Sequence, residues 1–190
     1  MDIKELIEKC VKKHIAHGYK YIIETEASEE VIDEMKKNFH LPELPEGMTE
    51  DSVFRSIGGF CSYREESGMP KYAEDCIYIF VEGIQKSVEK FKKMGSDLSF
   101  ESLVEFCVLH ECRHSQQVVS IREAHLNPED VFKIEKEKYD YSKGPMENDA
   151  NKYALEFILD PEMERPYEGH ALNIIRKENK EEFDKLLAAV

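Results

Sequence analysis

The sequence predicts an α+β fold that is rich in helix and carries a small sheet. Three observations lead there. Apolar residues recur at spacings of three and four over several long segments, the period of a half-buried helix. Those segments begin at capping residues (Ser28, Thr49, Ser99, Asn127 and the Gly144-Pro145 pair). Three short runs rich in β-branched and aromatic residues stand apart from them, at Tyr19–Thr25, Phe60–Arg64 and Cys76–Val81. With 190 residues and no repeat, linker or low-complexity tract, the chain suits one domain over residues 1–190 with one main core.

The elements follow in order. Ile3, Leu6, Ile7, Val11 and Ile15 make one face of a first helix that extends to about His17 and stops at Gly18. A strand follows over Tyr19–Thr25. Ser28 caps a helix to about Phe39, and Pro42, Pro45 and Gly47 mark a turn-rich stretch. Thr49 caps a short helix ending at Gly58-Gly59. The next two strands are joined through Gly68-Met69-Pro70, short enough for a hairpin with a long loop. Glu82–Met94 is helical and closes at Gly95. Ser99 caps the following helix, from Phe100 to about Val119. Asn127-Pro128 starts another, to about Tyr139, with Pro at the first helical position. Pro145–Leu159 is a further helix ended by Asp160-Pro161, and one last helical region covers Gly169–Leu187.

Composition excludes some functions. The net charge is −14, so a broad basic face for nucleic acid or anionic membrane is not expected. No apolar run approaches the roughly 18 residues of a membrane span. Met1-Asp2-Ile3-Lys4-Glu5 lacks a signal peptide's apolar stretch, and the expected location is cytoplasmic. Five cysteines, an odd number without a CxxC, read as reduced thiols, with Cys107 and Cys112 as packing residues.

One pentad carries the chemistry: His110-Glu111-Cys112-Arg113-His114, an HExxH. Residues four apart lie one turn apart on the same helix face, so both imidazoles can reach one zinc ion and the glutamate can act on a zinc-bound water. Leu103, Cys107, His110, His114 and Gln117 share a stripe, which sets the histidines on or near the buried face. A catalytic zinc needs a third protein ligand and one open position. Glu147 is the candidate, in the first turn of a later helix and 33 residues beyond His114. A helix-terminal acid favoured by the helix dipole is the other reading of the same residue.

With Glu147 in place the motif resembles a known family. His110-Glu111-x-x-His114 followed by Glu147-x-x-Ala150-Asn151-x-Tyr153-Ala154-x-x-Phe157-Ile158-Leu159-x-Pro161 is similar to the gluzincin metallopeptidases, above all the ImmA/IrrE type, whose second motif reads ExxANxFAxxLLxP. The resemblance covers the motif core, residues 99–161. It implies a zincin-like domain and a zinc-dependent peptidase acting on a protein or peptide. His110, His114 and Glu147 would ligate zinc, and Glu111 would be the general base. Asn151 matches a position that holds a ligand histidine by its free ring N–H. Asp149 is the alternative for that role or for the third ligand. In such folds the strand preceding the motif helix, here Ile77–Val81, edges the cleft and pairs with an extended substrate.

The sequence departs from that pattern at Arg113, where many members have Gly or Ala, and at Tyr153, usually Phe. Arg113-His114-Ser115-Gln116-Gln117 also resembles small HExRHxxQ proteins of phage and mobile elements. Tyr139, Tyr141, His170 and Arg113 are oxyanion donors by residue type, Arg113 being better suited to a salt bridge. Other readings stay open: a zinc-binding regulatory protein without turnover, histidines that are core residues, or iron in a two-histidine, one-carboxylate oxygenase. His14 and His17, among Lys12, Lys13 and Lys20, read as a solvated face; His40 and His125 have no evident partner.

Overall fold

The computed structural model describes residues 2–38, 44, 49–64, 74–140, 143–162 and 169–188. The helices are α1 (Ile3–His14), α2 (Glu29–Asn38), α3 (Glu50–Phe54), α4 (Val81–Lys93), α5 (Phe100–Glu123), α6 (Pro128–Lys138), α7 (Pro145–Leu159), α8 (His170–Glu178) and α9 (Lys180–Ala188). The strands are β1 (Lys20–Glu24), β2 (Gly59–Ser62) and β3 (Cys76–Phe80). The architecture is α+β and helix-rich, with one three-stranded mixed sheet. Gly68-Met69-Pro70 and the Pro42–Gly47 turn fall outside the described residues.

The caps act as their residue types require. Ser99 Oγ accepts the Ser102 N–H at 3.0 Å, Asn127 Oδ1 accepts Glu129 N–H at 2.9 Å, and Thr49 and Ser52 cap each other reciprocally. Pro145 and Leu159 bound α7 where the sequence places them. Several boundaries differ, and α3 stops at Phe54, short of Gly58-Gly59. The first helix ends at His14, because Ile15 turns extended and donates back to Val11. The motif helix runs on to Glu123. The last helical region is two helices, α8 and α9, parted at Asn179, whose side chain bonds the Ile175 carbonyl.

The strand order is β1-β3-β2, with β1 parallel and β2 antiparallel to β3. All five residues of β3 are buried. Period-two alternation divides them: Ile77 and Ile79 pack with α1, α4 and α5, while Cys76, Tyr78 and Phe80 pack with α2 and α3. A strand covered on both faces has no polar face to keep, hence its continuous apolar sequence. This placement corrects one expectation. β3 is the middle strand, not the cleft edge; β2 takes that side of the sheet and packs on α5.

Helix α5, 24 residues long, is the spine, and α7 makes its most extensive helix contact among the described elements. Leu109, Tyr153 and Ala154 are buried between the two. Beyond them Ile121, Val131, Ile134, Met146, Ile175 and Phe183 gather α5 to α9 into a second core region. No helix among the described residues is long and apolar enough to cross a membrane. The five cysteines are free thiols.

His14 is not on a solvated face. It is buried, its Nδ1 accepts the Tyr153 hydroxyl at 2.7 Å, and its ring meets Phe157 edge-on at 4.3 Å. The lysines beside it point the helix's other face to water, while His17 is exposed as expected. Burial, aided by the charge of Lys13, pushes the His14 imidazole down to about 4. An unfolded histidine takes its proton near pH 6.5. The unfolded chain therefore binds more protons between those values, and the His14 contribution to stability is lost as pH falls from about 6.5 to about 4, by no more than about 3 kcal/mol. Thermal melts in chelator should show His14→Asn well below wild type at pH 7.5, with the gap closing by pH 4; a constant gap would contradict this assignment.

Candidate metal centre

Helix α5 aims His110 and His114 toward α7, the first turn of α7 aims Glu147 back, and Glu111 faces β2 at Gly59. The result is a compact three-residue cluster. His110 Nε2 and His114 Nε2 lie 3.0 Å apart. Glu147 Oε2 is 3.6 Å from His110 Nε2, and its Oε1 is 3.3 Å from His114 Nε2. One ligand atom from each of the three residues lies within 4.8 Å of the others, and this is the sole such His/Cys/Asp/Glu group found among the described residues.

The donor set fits zinc. Two nitrogens and a carboxylate oxygen are the ligands of a catalytic site with room for water. The separations of 3.0, 3.3 and 3.6 Å bracket the ~3.3 Å edge of a tetrahedron with metal–ligand bonds of about 2.0–2.2 Å. Tautomer control is also in place. Gln117 Oε1 accepts the His114 Nδ1–H at 2.7 Å, which leaves Nε2 facing the cluster.

Gln117 was placed by the sequence on the right stripe but given no role there. The signal was its position three residues after His114. Its Nε2 donates to the Met146 carbonyl at 2.9 Å and to Asp149 Oδ2 at 3.0 Å. Asp149 thus stands one step behind the ring, where it accepts Arg113 Nε at 2.7 Å and Nη2 at 3.1 Å. Neither of its oxygens enters the three-residue cluster. Asn151, one turn past Glu147, stands close enough to His110 to favour its protonated form. No hydrogen bond of ordinary geometry reaches His110 Nδ1, which is buried without a partner among the described residues.

Arg113 is a buried structural cation rather than an oxyanion donor. It is 1 % exposed, forms the two-pronged pair with Asp149, bonds Gln116 Oε1 at 2.9 Å and lies 4.6 Å over the Tyr153 ring. The unusual residue of the pentad and the unusual residue of the second motif therefore touch each other. Of the other oxyanion candidates, Tyr139 lines the cleft but directs its hydroxyl to Glu178, His170 opens α8 away from the cleft lining, and Tyr141 lies outside the described residues.

The electrostatics are those of a site arranged around a cation. Burial pulls the His110 imidazole down to about 4, with help from neighbouring His114. Burial would do the same to His114, but Glu147 outweighs it and carries that ring up to about 9. Glu147 in turn is held below the ordinary carboxylate range by His114, against the cost of its own burial. One positive charge therefore sits among these donors even as a proton. Burial, reinforced by Glu147, pushes the Glu111 carboxyl up to about 7, with His114 and the Cys61 amide opposing. Glu135, a residue the sequence did not single out, is also buried in this wall and raised to about 7 by burial.

A cavity of about 290 Å³ opens beside the cluster. Gly58, Gly59 and Cys61 form one wall, and Phe60, Tyr63, Phe106, Val118 and Phe132 give it an apolar lining. Gly59 is required by close approach: a Cβ there would lie 2.6 Å from Glu111 Cγ. No family model, curated protein or solved structure matches this chain.

The Gly59 contact is testable by a cycle. Gly59→Ala should destabilise the protein by about 1–3 kcal/mol in denaturant unfolding, the usual cost of overpacking. Most of that penalty should vanish in a Glu111→Ala background, where the colliding carboxylate is gone. An undiminished penalty would place the strain elsewhere.

Proposed function

We propose that this chain is a zinc-dependent peptidase of gluzincin type, with zinc on His110, His114 and Glu147 and Glu111 as general base. The observation that carries the reading is the convergence of both Nε2 atoms and the Glu147 carboxylate at ligand separations, with a buried glutamate on the wall of the same cleft. The resemblance of both motifs to the ImmA/IrrE type, and of the Arg113–Gln117 stretch to small phage and mobile-element proteins, favours the same class.

Zinc bound there would supply a Lewis acid for a peptide carbonyl and would acidify a water molecule. Glu111 accepts the proton of the attacking water and returns it to the leaving amine. Burial favours the protonated form of its carboxyl, and a bound cation would favour the ionised one that accepts a proton. The Cys61 amide holds that carboxylate from the strand side, and Gly59 leaves the space in which it sits. Gln117 keeps His114 in the tautomer that presents Nε2. Phe60, Phe106 and Phe132 suit a substrate with a bulky apolar side chain beside the cleaved bond. A protein or peptide is thus the partner, without nucleic acid or membrane.

Metal analysis of the purified protein tests the reading. Wild type should carry about one zinc per chain, Glu147→Ala should lose it, and Glu111→Gln should keep it. Against peptides with aromatic residues, Glu111→Gln should be slower by about 10²–10⁴-fold. Zinc retained without any hydrolysis in wild type would favour a binding or regulatory role. A wild type prepared free of chelator and lacking zinc would return the histidines to the core.

A further inference from the structure

We propose that Glu135 is a positioning residue for the metal centre: reaching across from α6, it caps the first turn of α7 and so holds Glu147 against the two histidines. The inference rests on the metal reading above only for its consequence; the cap itself is a matter of hydrogen bonds.

A helix begins with backbone N–H groups that have no partner inside the helix. In α7 they can be traced one by one. Pro145, at the first position, has none. Asn148 N–H already reaches the Gly144 carbonyl at 2.9 Å. The two between them, Met146 and Glu147, are orphans, and the residue at the cap, Gly144, has no side chain to offer. The first goes to Glu135, whose Oε1 accepts the Met146 N–H at 2.7 Å, and the same carboxylate lies near enough to the Glu147 amide to be favoured by it. The residue that satisfies the start of the helix is thus ten residues before it in sequence.

Gly144 shows that this arrangement is built into the chain. A Cβ there would run into Glu135 Oε1, so the cap position is left bare to admit a carboxylate from another helix. Burial raises the cost of that carboxylate, and the two amides together with the positive end of the helix offset it. Glu147 is held from three directions: the amide of Met146, one residue before it, on Glu135, its own carboxylate on the histidines, and Asp149, two residues on, clamped by Arg113. Without Glu135 the first turn of α7 would have to unwind or take up water to satisfy its amides. That turn is the one that carries the ligand.

The test uses the full chain with Glu135→Ala, Glu135→Gln and the exposed control Glu137→Ala. It reads zinc affinity by chelator competition and amide exchange at Met146 and Glu147. Glu135→Ala should weaken zinc by about 10–100-fold, the usual effect of losing an outer partner of a ligand, and should speed exchange at both amides. Glu135→Gln keeps an acceptor oxygen and should recover most of the affinity, and Glu137→Ala should match wild type. A folded Glu135→Ala protein with wild-type zinc affinity overturns the assignment and leaves the metal reading intact. Should wild type bind no zinc, the metal reading falls, and exchange decides alone: slow Met146 and Glu147 amides in Glu135→Ala overturn the cap, and fast ones sustain it.

Discussion

The arrangement of this protein depends on one buried pair of charges. Arg113 and Asp149 meet in two-pronged geometry, at 2.7 and 3.1 Å, with side-chain exposures of 2 % and 8 %. Removing water from both is costly, and the pair persists because each remaining polar atom has work to do: Asp149 also receives Gln117, and Arg113 also reaches Gln116. A planar fork against a planar carboxylate fixes the rotation of α7 on α5 far more narrowly than apolar packing alone. Glu147 lies two residues before Asp149 on the same turn, so that rotation decides where the third donor of the cluster points.

The same pair transmits orientation to the imidazole. Asp149 holds Gln117, and Gln117 fixes the His114 tautomer. On the other side Gln116 bonds the carbonyl of His14, and Ser115 accepts the Ala16 amide, which fastens the end of α1 to α5. Residues 113–117 therefore serve two purposes: His114 and Gln117 belong to the His110–His114–Glu147 side, and Ser115 and Gln116 hold the end of α1. The stretch is polar although it is largely buried, because each of these side chains completes a bond that backbone or ring would otherwise lack.

Three carboxylates, Glu111, Glu135 and Glu147, share this low-dielectric wall, and each is treated differently. Glu147 stays ionised because the histidines face it. Glu135 is held by helix amides. Burial carries both Glu111 and Glu135 up to about 7, against one strand amide for Glu111 and the start of α7 for Glu135. How readily each acid gives up its proton follows from what surrounds it, not from residue type.

Much was legible from local pattern. Caps at Ser99, Asn127 and Gly144-Pro145 placed the starts of α5, α6 and α7 to the residue, because helix starts are decided by the first few residues, while α5 runs four residues past its expected end at Val119. The HExxH spacing and the later glutamate likewise led to His110, His114 and Glu147, which the structure brings together. The parallel pairing of β1 with β3 was not legible, since it joins segments more than fifty residues apart and leaves no local mark. That pairing made β3 central and moved the cleft wall to β2. His14 was misread for the same reason: its neighbours in sequence are lysines, but its neighbours in space are Tyr153 and Phe157.

By itself, then, the amino-acid sequence determined which segments are helix or strand and which three donors share a spacing suited to zinc. The element ends and the pairing of His110 with His114 are properties of contacts a turn or two long, and Glu147 was legible from its own motif 33 residues on. Only the tertiary structure decided that Arg113 clamps Asp149, that Gln117 bonds the His114 ring, that Glu135 bonds the Met146 amide, and that Glu111 lines a cavity with its proton affinity raised. Those roles come from groups brought together across α5, α6, α7 and β2, and burial and through-space charge have no period along the chain by which they could be read.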